Sequence, residues 1–191
     1  AVADINLRLN ETTVKNVDFR LKIIENKTGR CVNDGEYRLK AGKDGGFKLI
    51  VPCGKVALWH FDDPNLYSYE ISLYDGKELS DFRRENFGFR KVELIEDKLL
   101  LNGEIVRLPG IEDMPGSHPD FGMAESEADM EEACVMMKEL GTTITRYHWG
   151  QDEYRMHLMD SLGILVQEEI PWWAGPRDTL GTTLTTTMKL Q

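Results

Sequence analysis

Polar and apolar residues alternate along much of the first ninety residues. The period-two runs lie at 5–9, 17–23, 37–40, 47–51 and 67–73. Alternation of this kind predicts β-strands with one buried face. Clusters rich in Gly, Asn, Asp and Pro separate the runs and predict turns at 26–29, 33–35, 43–46, 52–54, 62–65 and 74–76. Short strands with turns about every ten residues predict a β-sandwich of the immunoglobulin type over residues 1–89.

The pattern changes from about residue 90. Apolar runs around Asn102-Gly103 predict a hairpin turned by that dipeptide, and a loop rich in Gly, Pro and Asp is predicted over 110–122. Apolar residues spaced by three and four then predict a helix over 126–140, with Ser126 and Asp129 forming a capping box and Gly141 ending it.

Two further strands and a second helix follow. The pattern predicts strands over 142–148 and 164–166, a helix over 151–162 between them, and a third helix over 178–191 that six threonines weaken. The order β-α-β-α-β predicts parallel strands. Three such units are too few to close a barrel of eight, so residues 90–191 are expected to form the first part of a TIM barrel. Its open sheet edge favours self-association, and a homo-oligomer is an open alternative.

Charged side chains lie where these parallel strands are expected to end. Arg146 and His148 end one strand and Glu169 ends the next, at the sheet edge where ligands of such folds bind. Glu168 and Glu169 are neighbours on a strand and must face opposite sides; we assign Glu169 to the inner side. A structural salt bridge for Arg146 and a structural hydrogen bond for His148 remain alternatives.

Composition narrows the class of function. The chain has 191 residues and a net charge of −10, which argues against a nucleic-acid partner. No apolar run approaches the ~20 residues that span a bilayer. The N-terminus shows no signal-peptide pattern, which leaves both the cytoplasm and a secreted or periplasmic location open. Neither the three cysteines nor the histidines have metal-ligand spacing, so no metal or cofactor is expected.

A series of short motifs resembles glycoside hydrolase family 2, in order and in register over about residues 55–175. The motifs are Trp59-His-Phe-Asp-Asp-Pro-Asn-Leu-Tyr67, Asn86-Phe-Gly-Phe-Arg90, Leu101-Asn-Gly103, His118-Pro-Asp-Phe-Gly122, Met137 to His148 and Asp160 to Pro171. The resemblance implies retaining hydrolysis of terminal β-glycosidic bonds by two glutamates, in carbohydrate metabolism. It favours a β-galactosidase, with β-glucuronides or β-mannosides as alternative substrates.

The same resemblance assigns roles within this chain. It implies that Arg146, His148, His118, Glu169 and Trp173 contact the carbohydrate substrate. The family's acid/base glutamate follows an asparagine on a later barrel strand, and its nucleophile lies later still. We therefore expect no catalytic glutamate before residue 191 and no hydrolysis by this chain alone.

Two rival functions have different consequences. A non-catalytic carbohydrate-binding or scaffold module would need no further coding sequence, whereas the enzyme requires an Asn-Glu pair within about a hundred codons. A nucleotide-binding α/β enzyme is disfavoured because neither Gly-x-Gly-x-x-Gly nor Gly-x-x-x-x-Gly-Lys occurs.

Overall fold

The computed structural model describes residues 1–10, 14–116, 119–120 and 122–169. Within them the chain is mostly β, with twelve strands and two helices. The predicted third helix over 178–191 lies outside the described residues. No helix in the part described combines the length and hydrophobicity of a membrane span.

Two antiparallel sheets form the first part of the chain. The smaller pairs β1 (Val2–Leu7) with β4 (Phe47–Pro52). The larger has the order β3-β2-β5-β6, with strands at Asn16–Glu25 (β2), Cys31–Lys40 (β3), Tyr67–Asp75 (β5) and Glu78–Phe87 (β6).

A single apolar core joins these sheets. Phe19, Leu21 and Ile23 of β2 are almost fully buried, and so are Phe47 and Val51 of β4. Alternate residues of β2 are exposed or partly exposed, so the predicted period of two is confirmed there. Each such side chain contributes about 1.5–3 kcal/mol of hydrophobic stabilisation.

The turn predicted at 33–35 is wrong, because these residues lie inside β3. Gly35 sits opposite Leu21, and a Cβ atom built on it would lie 2.8 Å from the Tyr37 hydroxyl. Asp34 faces Arg20 across the strands, with Nε–Oδ1 at 2.8 Å. Residues 33–35 are therefore paired with β2 in the sheet, and the space beside Tyr37 admits only glycine at position 35 without a shift.

A three-stranded meander follows, made of β7 (Val92–Ile95), β8 (Lys98–Leu101) and β9 (Glu104–Ile105). Asn102 and Gly103 have φ of 55° and 87°, the left-handed pair that a type I′ turn requires. The predicted Asn-Gly hairpin is confirmed, and a second tight turn between β7 and β8 extends it.

The last described part is a parallel sheet with two helices. Its order is β10-β11-β12, with elements at Gly110–Glu112 (β10), Glu127–Glu139 (α1), Ile144–Tyr147 (β11), Glu153–Leu162 (α2) and Leu165–Glu168 (β12). The predicted parallel pairing is confirmed. The loop predicted from residue 110 is wrong for β10. A Cβ on Gly110 would lie 2.7 Å from the Ile144 carbonyl oxygen, so this glycine permits close strand packing.

Capping residues mark the ends of both helices, and the predicted capping box of α1 is confirmed. Ser126 and Asp129 form a reciprocal capping box at the start of α1. Asp152 caps α2, and Gly163 ends it in the left-handed conformation with φ of 75°.

The segment 59–61 connects the antiparallel sheets to the helices. Trp59 is fully buried, and its indole Nε1 donates to the Asp160 carbonyl at 2.7 Å. Lys138 donates to the Phe61 carbonyl at 2.7 Å, while Arg90 pairs with the Asp160 carboxylate at 2.9 Å and lies over the Trp59 ring. The ends of α1 and α2 are therefore fixed against the β-rich part of the chain.

Candidate functional site

The candidate site lies at the carboxyl ends of the parallel strands. Along β11, Thr145 and Tyr147 are fully buried, and Tyr147 packs in the core formed with the helices. Arg146 lies between them and faces the other side of the sheet, where it is 39% exposed. Alternation along the strand therefore places a guanidinium on the face opposite the helices.

Arg146 is held between two carboxylates from the neighbouring strands. Its Nε and Nη2 each lie 2.7 Å from Glu169 Oε1, and its Nη1 lies 3.1 Å from Glu112 Oε2. Glu112 is the residue paired with Arg146 in the β10–β11 register. The hydrogen bond to Glu169 is the main cause that raises the pKa of Arg146. The guanidinium therefore fixes both carboxylates in a shared arrangement.

His148 joins the same cluster through Glu112. Its Nε2 lies 2.5 Å from Glu112 Oε1, and its side chain is 24% exposed. The structure thus brings together three of the residues assigned from sequence: Arg146, His148 and Glu169. It adds Glu112, which the sequence analysis had placed within a loop.

The neighbouring Glu168 takes a different direction. Its carboxylate accepts a hydrogen bond from the Gln151 amide, 2.9 Å away, in the segment that leads into α2. Glu169 turns instead to Arg146. Glu168, the last residue of β12, and Glu169, which follows it, thus point to different surroundings, as successive residues of an extended segment do.

Two of the residues assigned from sequence, His118 and Trp173, lie outside the described residues. His118 belongs to the segment that leaves β10, and Trp173 follows β12. Their contact with a carbohydrate stays a prediction.

A second charged cluster lies on the buried side of the same strands. Arg155 of α2 is 2% exposed, and its guanidinium pairs with Asp113 at 3.0 Å and with Glu125. The Glu125 carboxylate also accepts from the Gly116 amide at 3.1 Å. Nearby, burial raises the pKa of Tyr147.

The described cysteines are all free thiols, with Cys31 exposed and the other two buried. Burial raises the pKa of the Cys134 thiol to about 11, so this thiol has little of the thiolate character that reactivity needs.

Away from the candidate site, the ligand atoms of Glu85, Glu153 and His157 lie within 4.8 Å of one another. Sequence spacing could not indicate this group, because Glu85 comes from a strand of the other sheet.

The site is suited to binding polar groups. A fixed guanidinium, an imidazole and two carboxylates offer both donors and acceptors to hydroxyl groups, and all four side chains retain solvent access. Among the described residues, the arrangement therefore offers oriented donors and acceptors, which is what binding a polar group requires.

Known proteins resemble this chain in sequence and in fold. The sequence profile of glycosyl hydrolases family 2 matches residues 1–90. A β-galactosidase of Thermoanaerobacterium thermosulfurigenes is 34% identical over 165 residues, 83% of this chain and 22% of the relative. A β-glucuronidase of Bacteroides fragilis is 30% identical over 181 residues, 91% of this chain and 25% of the relative.

A solved structure extends the likeness to the fold. The structure of Bacteroides uniformis β-glucuronidase 3 superposes with a TM-score of 0.76 at 25% identity, over 98% of this chain and 23% of that one. The chain thus spans about a quarter of the length of each of these three proteins.

Proposed function

The chain belongs to glycosyl hydrolase family 2, and we propose that it provides the opening part of a retaining β-glycosidase. In this proposal residues 1–89 form an immunoglobulin-like sandwich that supports the site, and residues 90–191 form the first strands and helices of a TIM barrel. Parallel strands β10, β11 and β12 with intervening helices support this division. The substrate is a carbohydrate with a terminal β-glycosidic bond.

The observation that carries the proposal is the placement of Arg146 between Glu112 and Glu169. These side chains lie at or next to the carboxyl ends of three adjacent parallel strands, at the edge where barrel enzymes bind substrates. A guanidinium held from both sides keeps its orientation when a sugar enters, and the carboxylates accept hydrogen bonds from sugar hydroxyls.

The acid/base and nucleophile glutamates are proposed to lie outside this chain. Glu112 and Glu169 both bind the Arg146 guanidinium, and neither follows an asparagine as the family's acid/base glutamate does. Both carboxylates are thus better suited to holding the sugar than to protonating its leaving group.

The charge of the site favours a neutral sugar. Among the described residues of the cluster, two carboxylates face one guanidinium and one imidazole. A uronate would bring a third negative charge close to them, whereas a galactoside would not. Identity of 34% to a β-galactosidase supports the same choice. We therefore propose β-galactosides as substrates in preference to β-glucuronides.

The test compares hydrolysis of three nitrophenyl β-glycosides, namely the galactoside, glucuronide and mannoside. Each is assayed with this chain and with a version extended through the following stretch of its gene. We expect the extended protein to hydrolyse the galactoside fastest and this chain to hydrolyse none. Hydrolysis by this chain alone would refute the assignment of the catalytic glutamates. An extended protein without activity on any of the three would favour a carbohydrate-binding module.

A further inference from the structure

Arg155 is the charged residue of the described chain with the least exposure, and neither the family motifs nor the proposed chemistry uses it. It lies on α2, 2% exposed, against the fully buried ring of Tyr147, whose centroid is 5.9 Å from the guanidinium carbon. Burying a guanidinium is unfavourable unless its charge and its donors are satisfied. The positions of its partners therefore indicate what the buried guanidinium does in the fold.

The two partners of Arg155 lie at opposite ends of one segment. Asp113 directly follows β10, and Glu125 directly precedes the N-cap of α1. Arg155 holds Asp113 at 3.0 Å and contacts Glu125 through its other terminal nitrogen. Glu125 in turn accepts from the Gly116 amide, so the same carboxylate also fixes the beginning of the segment.

The contacts of Arg155 with Asp113 and Glu125, here called the Arg155 clamp, reach the candidate site through a single peptide unit. Glu112, whose carboxylate contacts Arg146 and His148, is bonded directly to Asp113. Successive side chains of an extended segment point to opposite faces, so anchoring Asp113 on the helix side directs Glu112 to the other side. Glu112 is 42% exposed and has no comparable burial of its own to hold it there.

We propose that Arg155 is a positioning residue for the candidate site. It fixes Asp113 and Glu125 on the buried face of the sheet and so determines where the Glu112 carboxylate meets Arg146 and His148. The proposal rests on the proposed function only for the meaning of that site as a carbohydrate-binding surface. A lysine cannot replace the arginine, because a single ammonium group does not present the planar fork that reaches two carboxylates.

The imidazole of His148 provides a readout that does not require substrate. In protein labelled with ¹⁵N-histidine, the ring nitrogen signals report the contact between Nε2 and Glu112, and the His148→Gln variant assigns them. We expect Arg155→Lys to abolish the wild-type His148 pattern while the signals of His60 and His157 stay unchanged. Glu125→Gln tests the same clamp from the other side, and it serves alone if the arginine variant does not fold.

Arg90→Lys is the matched control. Arg90 also forms an ion pair to α2, at 2.9 Å from Asp160, but on the side away from the candidate site. It should change stability and leave the His148 signals as in the wild type. Wild-type His148 signals in a folded Arg155→Lys or Glu125→Gln variant would overturn the proposal. The histidine signals do not depend on the outcome of the hydrolysis test. The positioning role of Arg155 and the proposed function can therefore be refuted independently.

Discussion

The indole nitrogen of Trp59 donates a hydrogen bond of 2.7 Å to the carbonyl oxygen of Asp160, 101 residues further along the chain. Asp160 belongs to the last turn of α2, whose carbonyl groups have no partner within the helix. Trp59 supplies one of the missing donors from a loop of the antiparallel part. The contact is therefore both a helix cap and a link between the two parts of the fold.

Replacing Trp59 with phenylalanine should weaken this link. The variant keeps an aromatic ring in the buried position but leaves the Asp160 carbonyl without its donor. We expect a loss of about 1–3 kcal/mol in the free energy of unfolding, measured by urea denaturation. Phe82→Leu, at a position 50% exposed on β6, should change it by less than about 0.5 kcal/mol. Equal effects of both variants would contradict the role assigned to the indole nitrogen.

Two glycines that end the two helices provide a matched pair. Gly141 and Gly163 have φ of 80° and 75°, so alanine at either position bears the left-handed penalty of about 1–2 kcal/mol. A Cβ on Gly141 would meet nothing within 4 Å, whereas one on Gly163 would lie 2.2 Å from the Phe61 carbonyl oxygen. Gly163→Ala should therefore be clearly the more destabilising in thermal unfolding. Similar melting temperatures would show that α2 does not end against Phe61.

The sequence predicted the interior of this fold better than its edges. Strand β2 and the ends of α1 were predictable because alternation and capping residues are local signals. Strand β6 was missed because an edge strand with mostly exposed residues, such as Arg83 and Arg84, has no apolar period. Strand β10 was missed because three residues starting at Gly110 carry no pattern, and only the neighbouring β11 defines it.

The residues of the candidate site were likewise predictable only where a local pattern marks the strand that carries them. Arg146, His148 and Glu169 follow strands that the apolar pattern marks. Glu112 follows a strand that it does not mark, and Arg155 appears in the sequence as one polar residue of an amphipathic helix. Its burial depends on Asp113 and Glu125, and no local pattern encodes that contact.

Glu25 should make the stability of the chain sensitive to acid. Hydrogen bonds from Thr28, then Arg30 and Tyr67, lower the pKa of this carboxyl from 4.5 to about 2. A lowered pKa contributes stability that is present above pH 4.5 and is lost as the pH falls towards 2. We expect Glu25→Gln to lower the melting temperature at neutral pH and the difference from the wild type to shrink over this range.

The control for this pH series is Glu78→Gln, which removes an exposed carboxylate at the start of β6. Its melting temperature should follow that of the wild type throughout the series. A constant difference between Glu25→Gln and the wild type down to pH 2 would mean that the native carboxylate is not preferentially stabilised.

Arg146→Lys should reduce the hydrolysis of nitrophenyl β-galactoside by the extended protein. The guanidinium reaches Glu112 and Glu169 together, and an ammonium group cannot hold both in the same positions. Misplacement of about 1 Å in an active site costs on the order of 10²-fold in rate. Arg20→Lys removes a comparable fork, to Asp34 within the antiparallel sheet, and should leave the rate unchanged. Full activity of Arg146→Lys would argue against the proposed recognition site.

The long separation between Trp59 and Asp160 has a consequence for biosynthesis. A ribosome adds about 5–20 residues per second, so the indole ring waits on the order of 5–20 s before its helical partner has been synthesised. Throughout that interval the nascent antiparallel part presents a large aromatic surface to the cytosol or to the secretion machinery. A chaperone that binds exposed aromatic residues should therefore associate with ribosomes that have translated the antiparallel part and not yet α2.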